Sequence, residues 1–178
     1  EKTKTQDAIN FITLQSITID DVMGKNLPPA PDKNLNDATI AGIDTNNNNI
    51  RDDVELAIFA KYPNSAKIRA AELQYAQAMQ LRLINVFNKE TMAEVMEKES
   101  YGYDCIGKTG PKTSLNDSRE EIIAALDVSD KRIKEVDELV LNIKQRQERY
   151  SEIFEKYMTS YSSLPGNECD LNLQLLPN

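Results

Sequence analysis

Nine residues between Ile133 and Tyr161 fall at alternating steps of three and four: Ile133, Val136, Val140, Ile143, Gln147, Tyr150, Phe154, Tyr157 and Tyr161. An α-helix gathers such positions into one stripe, and only Gln147 among them is neither aliphatic nor aromatic, so the stripe has to be covered. The spacing predicts a long helix over roughly 130–162 with a coiled-coil-like seam. Its simplest cover is the segment 64–100 running antiparallel, where Ile68, Ala71, Tyr75, Met79, Leu83 and Val86 also recur at three or four. The same seam on a second copy of the chain is the alternative cover; a monomer is the expectation, with a dimer through 133–161 as its rival. An all-α antiparallel helical bundle with two long helices follows.

Punctuation along the chain fills in the rest. Asn64 or Ser65 is placed to cap the first long helix, which is rich in strong helix formers. That helix is expected to break near Lys89, restart at the capping-box pattern Thr91–Glu94 and end about Tyr101. Gly102 to Leu115 reads as a loop. Ser118–Glu121 is a second capping box, opening a helix with core residues Ile122, Ile123 and Leu126, and Asp127–Asp130 turns the chain. Residues 1–26 hold apolar positions that fit a helix only loosely, and three prolines among Pro28, Pro29 and Pro31 forbid regular structure. Residues 1–33 are therefore expected as an N-terminal arm and stiff connector, and 34–178 as one helical domain with a helical turn between Asn34 and Ile43. A further helix begins at Asp52 or Asp53 and stops at Tyr62-Pro63.

Between connector and helix lies Asp44-Thr-Asn-Asn-Asn-Asn-Ile-Arg-Asp-Asp-Val-Glu55. Oxygen-bearing side chains occupy its positions 1, 3, 5, 9 and 12, the spacing by which a tight turn offers a calcium ion several hard oxygen ligands. Asp44, Asn46 and Asn48 would each give one side-chain oxygen, Ile50 its backbone carbonyl, Asp52 a direct or water-mediated contact, and Glu55 both carboxylate oxygens. This stretch resembles the single, open loops of bacterial EF-hand-like and thrombospondin-type-3-like proteins. Two positions depart from the paired-sensor pattern. Asn49 stands where glycine is usual, though Asn tolerates the positive φ needed there; Arg51 stands where an apolar residue would pair with a second loop, and no second loop is present. Three formal negative charges among the ligands imply weak affinity, roughly 10⁻⁴ to 10⁻³ M. A structural staple is expected rather than a switch, and an Asn-rich turn that merely caps the following helix is the alternative.

Composition narrows the function. A net charge of −8 argues against nucleic-acid and anionic-membrane partners, and no apolar run approaches the roughly 18 residues of a membrane span. The absence of histidine removes Ser-His-Asp and Cys-His catalysis and histidine-ligated zinc. The two cysteines, Cys105 and Cys169, are too few for a four-thiolate metal site. Bridged in an oxidising compartment, they would close a loop of about 65 residues, worth roughly 4 kcal/mol on the chain-entropy model; two buried free thiols are the alternative. The first residue is Glu1, which reads as a mature product without its export signal, although trimming of a cytosolic protein would leave the same end. Together with a weak calcium site, which fills only near millimolar calcium, these features point outside the cytoplasm, to the periplasm or the cell surface. The composition resembles that of exported helical proteins of Gram-negative bacteria.

Gly102-Tyr-Asp-Cys-Ile-Gly-Lys-Thr109 matches the phosphate-binding pattern G-x-x-x-x-G-K-[ST] literally. Its flanks lack the strand before and the helix after that such chemistry needs, so nucleotide binding is a remote alternative. The expected function is that of a non-catalytic extracytoplasmic helical protein braced by one calcium ion, interacting with an unidentified protein partner through its arm and tail. A calcium-dependent hydrolase working through carboxylates is the rival.

Overall fold

The computed structural model describes residues 2–161 and 168–178. Among these, eight α-helices and one 3-10 turn are present and no strand. Helices α1 (Lys2–Leu14), α2 (Ile19–Met23) and α3 (Lys33–Asp37) precede the Asp44–Glu55 loop; α4 (Asp52–Lys61), α5 (Ala66–Asn85), α6 (Lys89–Lys108), α7 (Arg119–Val140) and α8 (Lys144–Tyr157) follow it.

Helix α5 is the axis. Ser65 accepts from the Ile68 amide to start it, and every residue from Arg69 to Leu83 is buried. A helix buried on all sides needs neighbours on all sides, and α5 packs on α1, α2, α4, α6, α7 and α8. Asn88, rather than Thr91, is the N-cap of α6, with Thr91 as the reciprocal partner of its capping box. The turn between these two helices sends α6 back along α5, as the facing pairs Arg82–Glu99 and Tyr75–Gly102 record. Glu72–Arg132, Tyr75–Asp137 and Arg82–Tyr150 show α7 and then α8 advancing in the same sense as α5. The antiparallel partner of the C-terminal segment is therefore α6.

Several local expectations are corrected. The seam does not lie on one helix: α7, which carries its first part, starts earlier than residue 130, at Arg119 behind the Ser118–Glu121 capping box, and the seam is broken at Leu141–Ile143. Past that break the buried positions are Arg146 and Ile153, with Tyr150 and Tyr157 partly covered, while Gln147 and Phe154 are exposed. The helix passes through Asp127–Asp130 without turning, since no Gly or Pro interrupts it. Ile122, Ile123 and Leu126 are 36, 45 and 57% exposed, because this half of α7 stands clear of the bundle. Gly102 does not end α6: an added Cβ there would lie 2.8 Å from the Tyr75 Cα, so this glycine lets two helices touch. The expected helix end near Leu164–Gly166 lies outside the described residues; α8 itself ends at Tyr157.

Within the stretch 1–26, read as fitting a helix loosely, Lys2–Leu14 form α1 and Ile19–Met23 form α2, and Ile12, Ile17 and Val22 are at most 2% exposed. Ile12 joins Leu81, Val86, Met92, Val95 and Ile153 in one core cluster; Ile17 and Val22 join the larger one around α4, α5 and α7. Leu27–Asp32 carries no regular structure, as its prolines require. Cys105 and Cys169 are bridged, which ties the end of α6 to the C-terminal tail.

Candidate metal site

The loop from Asp44 to Glu55 is shaped by its own asparagines. Asn47 and Asn49 take φ values of 58° and 61°, the two positive-φ residues other than glycine among the described residues. Those left-handed turns aim two successive amides at the Asp44 carboxylate, which accepts from Asn48 N at 3.2 Å and Asn49 N at 2.9 Å. Asn46 Oδ1 accepts from the Asn48 amide and Asn48 Oδ1 from the Ile50 amide. The side chain of Ile50 is sunk in the core, 1% exposed, which anchors the loop where its carbonyl is the expected ligand.

At the far end, the Asp52 amide donates to Ile43 O at 2.8 Å, closing the loop at its base. The Asp52 carboxylate turns to Thr45, accepting from its amide at 2.8 Å and its hydroxyl at 2.6 Å. Glu55, in the first turn of α4, is fully buried. Its Oε2 accepts from Asn46 Nδ2 at 3.0 Å and Asn48 Nδ2 at 3.2 Å, and its Oε1 has no partner among the described residues. Burial pushes the Glu55 carboxyl up to about 7, with the charges of Asp21 and Asp52 adding to the rise against the pull of the two asparagine amides. Burial also raises Asp44, partly offset by the backbone amides it accepts.

The structure thus brings Glu55 onto Asn46 and Asn48, and Asp44 onto the backbone of the same turn. Asp52 is held one step away by Thr45. Among the described residues, no three or more carboxylate, thiolate or imidazole groups gather as a metal-holding set. The donors at this loop are mixed, with amides and a carbonyl making up the number, and one deeply buried carboxylate oxygen is unsatisfied. Leaving such an oxygen unpaired costs about 1–3 kcal/mol or more for a charged group, and a hard cation is one way to offset that cost.

Sequence reasoning missed what holds the loop in place. Arg51, read only as a departure from a pairing position, is 0% exposed. Its guanidinium donates to Leu139 O at 2.8 Å and Val140 O at 3.0 Å, the carbonyls ending α7, and pairs with Asp53. A cation at a helix C-terminus is favourable, so Arg51 fastens the loop to the end of α7. Gly42, with φ +67, lies under this side chain; a Cβ would come within 2.2 Å of Arg51 Cδ. Arg146, also 0% exposed, donates to the carbonyls of Asn36, Thr39 and Ile40. From α5, Gln77 donates to Asn48 O and Gln80 to Ala41 O, each at 2.7 Å. The one available signal was the run Gln74, Gln77, Gln80, uncharged polar residues three apart on a helix that carries charge elsewhere.

The phosphate-loop pattern Gly102–Thr109 lies on the last turns of α6 and its C-cap. Its backbone amides are spent inside a helix, and Lys108 pairs with Glu168. Comparison of the chain with protein-family models, with curated proteins and with solved structures gives no match.

Proposed function

We propose that this chain is a non-catalytic, extracytoplasmic helical protein whose Asp44–Glu55 loop is braced by one calcium ion, and that it works through contact with another protein. The observation that carries the reading is the buried Glu55 carboxylate, with one oxygen unpartnered and the other facing the amides of Asn46 and Asn48. Turning those amides over would exchange two N–H donors for two oxygens directed at the same carboxylate. A cation bound between them would supply the positive charge that the buried Glu55 lacks. Asp44 and the Ile50 carbonyl stand in the same turn, and Asp52 can serve through water because Thr45 engages its carboxylate.

The location outside the cytoplasm rests on two further features. The Cys105–Cys169 bridge suits an oxidising compartment. A loop of low ligand charge fills only where calcium is near millimolar, as it is outside cells. Thermal melting in millimolar calcium, in magnesium and in chelator tests the brace. A higher melting temperature in calcium alone supports it, and equal temperatures in all three overturn it.

A further inference from the structure

Helix α7 outruns its neighbours. The turn that ends α6 meets it at Ser129, where a Cβ on Gly110 would lie 2.9 Å from the Ser129 hydroxyl. From there back to Arg119 the helix projects about 15 Å. With solvent on most sides, such a stretch is expected to be polar throughout. Instead it carries Ile122, Ile123 and Leu126, 36, 45 and 57% exposed, on one face. One turn to either side, Arg119 and Asp130 stand on the same face, and both are exposed. Tyr103 donates to Asp130 Oδ1 at 3.1 Å, which leaves Oδ2 to another donor. Isolated exposed apolar residues need no explanation, whereas three side by side on a projecting helix mark an interaction surface.

The order of these residues selects the partner. Arg119, Ile123, Leu126 and Asp130 are separated by steps of four, three and four, a spacing that reads the same from either end. A second copy laid antiparallel along this face sets Arg119 against Asp130 of its mate and Ile123 against Leu126, and the two-fold repeats both contacts. The axis falls between Ala124 and Ala125, so the two bundles lie at opposite ends of the pair. A partner of uniform charge would meet its own sign at one end of the face, and a parallel copy would set Arg119 against Arg119. Glu120 and Asp127, also exposed, lie about a quarter-turn further round the helix, where salt screens them. We infer that the projecting half of α7 is a self-association surface, on which two copies of this chain pair antiparallel. This interface differs from the 133–161 seam, whose Ile133, Val136 and Val140 are buried within the chain. It depends on neither the calcium loop nor the contact with another protein proposed above. Two overhangs this short bury well under the roughly 1,600 Å² of a standard interface, so the dimer is weak.

Sedimentation velocity of the full chain in chelator, at about 50 mM salt and from about 10 μM to about 1 mM protein, reads the pairing. The parent is expected to form a dimer with a Kd of about 10⁻⁴ M. Arg119→Asp and Asp130→Arg each place like charges at both ends of the pair, and each alone should weaken it about tenfold. Mixed in equal amounts, the two variants offer each other opposite charges at both ends, so the mixture should dimerise to within about threefold of the parent. Leu126→Ser removes the central apolar contact and should leave a monomer over the same range. All three positions are exposed, so the far-ultraviolet spectra should stay those of the parent. The inference is overturned by a parent that stays monomeric at the highest concentration, by a Leu126→Ser chain that still pairs, by single charge variants that pair like the parent, or by a mixture that pairs no better than either variant alone.

Discussion

Replacing Glu55 by Gln separates the calcium brace from a plain capped turn, because the two readings agree in chelator and part only when calcium is present. Without metal, the buried Glu55 carboxylate is a burden: its value rises from 4.5 to about 7 because burial disfavours the charge. A shift of that size corresponds to up to about 3 kcal/mol lost by the native state above pH 7, which an uncharged side chain of the same shape would recover. In chelator at about pH 8, Glu55→Gln should therefore melt no lower than the parent, and higher if the amide settles with Asn46 and Asn48. With calcium the order reverses. For a Kd of roughly 10⁻⁴ M, calcium at about 10 mM stabilises the parent by about 2.7 kcal/mol. For a chain of this length that is a rise of about 5–10 °C. Glu55→Gln should lose most of that rise. Differential scanning calorimetry of both proteins in calcium and in chelator, at matched ionic strength, reads all four values. A parent that melts within about 1 °C in the two buffers, or a variant that keeps the full rise, refutes the argument.

Other perturbations probe the bundle that carries the loop. Gly102→Ala forces a Cβ to within 2.8 Å of the Tyr75 Cα; α5 and α6 must separate, and urea unfolding should show a loss of about 1–3 kcal/mol. Cys105→Ala with Cys169→Ala opens a bridge between residues 64 apart in sequence, and should cost roughly 4 kcal/mol by the same measurement, with the parent under reducing conditions falling alongside it. Burial raises the Glu99 carboxyl to about 7 against the pull of Arg82. The native state then holds a proton that the unfolded chain has released, so in chelator the contribution of Glu99 to stability falls as pH rises from about 4.5 to about 7 and is level above that. Glu99→Gln should flatten that part of the urea-midpoint profile, and an unchanged slope would refute the assignment.

Much of the helical punctuation was legible because it is local. Ser65, the Ser118–Glu121 pair and Tyr62-Pro63 act within a few residues of themselves, and each starts or stops a helix where the sequence put it. The backbone of the Asp44 turn was legible for the same reason, with Asn49 taking the positive φ expected of it. What failed depended on distant neighbours. Gly102 looked like a loop residue because nothing local says that Tyr75 will lie against it. The seam from Ile133 to Tyr161 looked unbroken because its apolar steps run on through Leu141–Ile143, where the helix ends and Gln147 passes outward in favour of Arg146. Arginine at a core position is invisible to any hydrophobic pattern. At the loop, the asparagines and Glu55 were read from spacing, whereas the withdrawal of Asp52 to Thr45 depends on how Asp52 and Thr45 meet across the loop.

Those buried polar residues also limit what calcium can do. The segment from Asn36 to Arg51 has little regular structure, so its backbone carbonyls need partners from elsewhere. Arg146 supplies them at Asn36, Thr39 and Ile40, Gln80 at Ala41 and Gln77 at Asn48, while Arg51 fastens the end of the segment to α7. Each donor comes from a bundle helix or docks onto one, so the course of the segment is set before any ion arrives. A cation at Glu55 would then act on a loop already in place, relieving one buried carboxylate without having to order the chain. The entropy cost that makes small zinc domains unfold without metal is absent here, because the bundle has already met it. The stabilisation expected from calcium is accordingly a few kcal/mol and local in origin. Loss of the ion should raise amide exchange at Asn46–Asn49 while α5 keeps its protection, and loss of protection in α5 on chelation would mean that the loop, and not the arginines and glutamines, holds the segment.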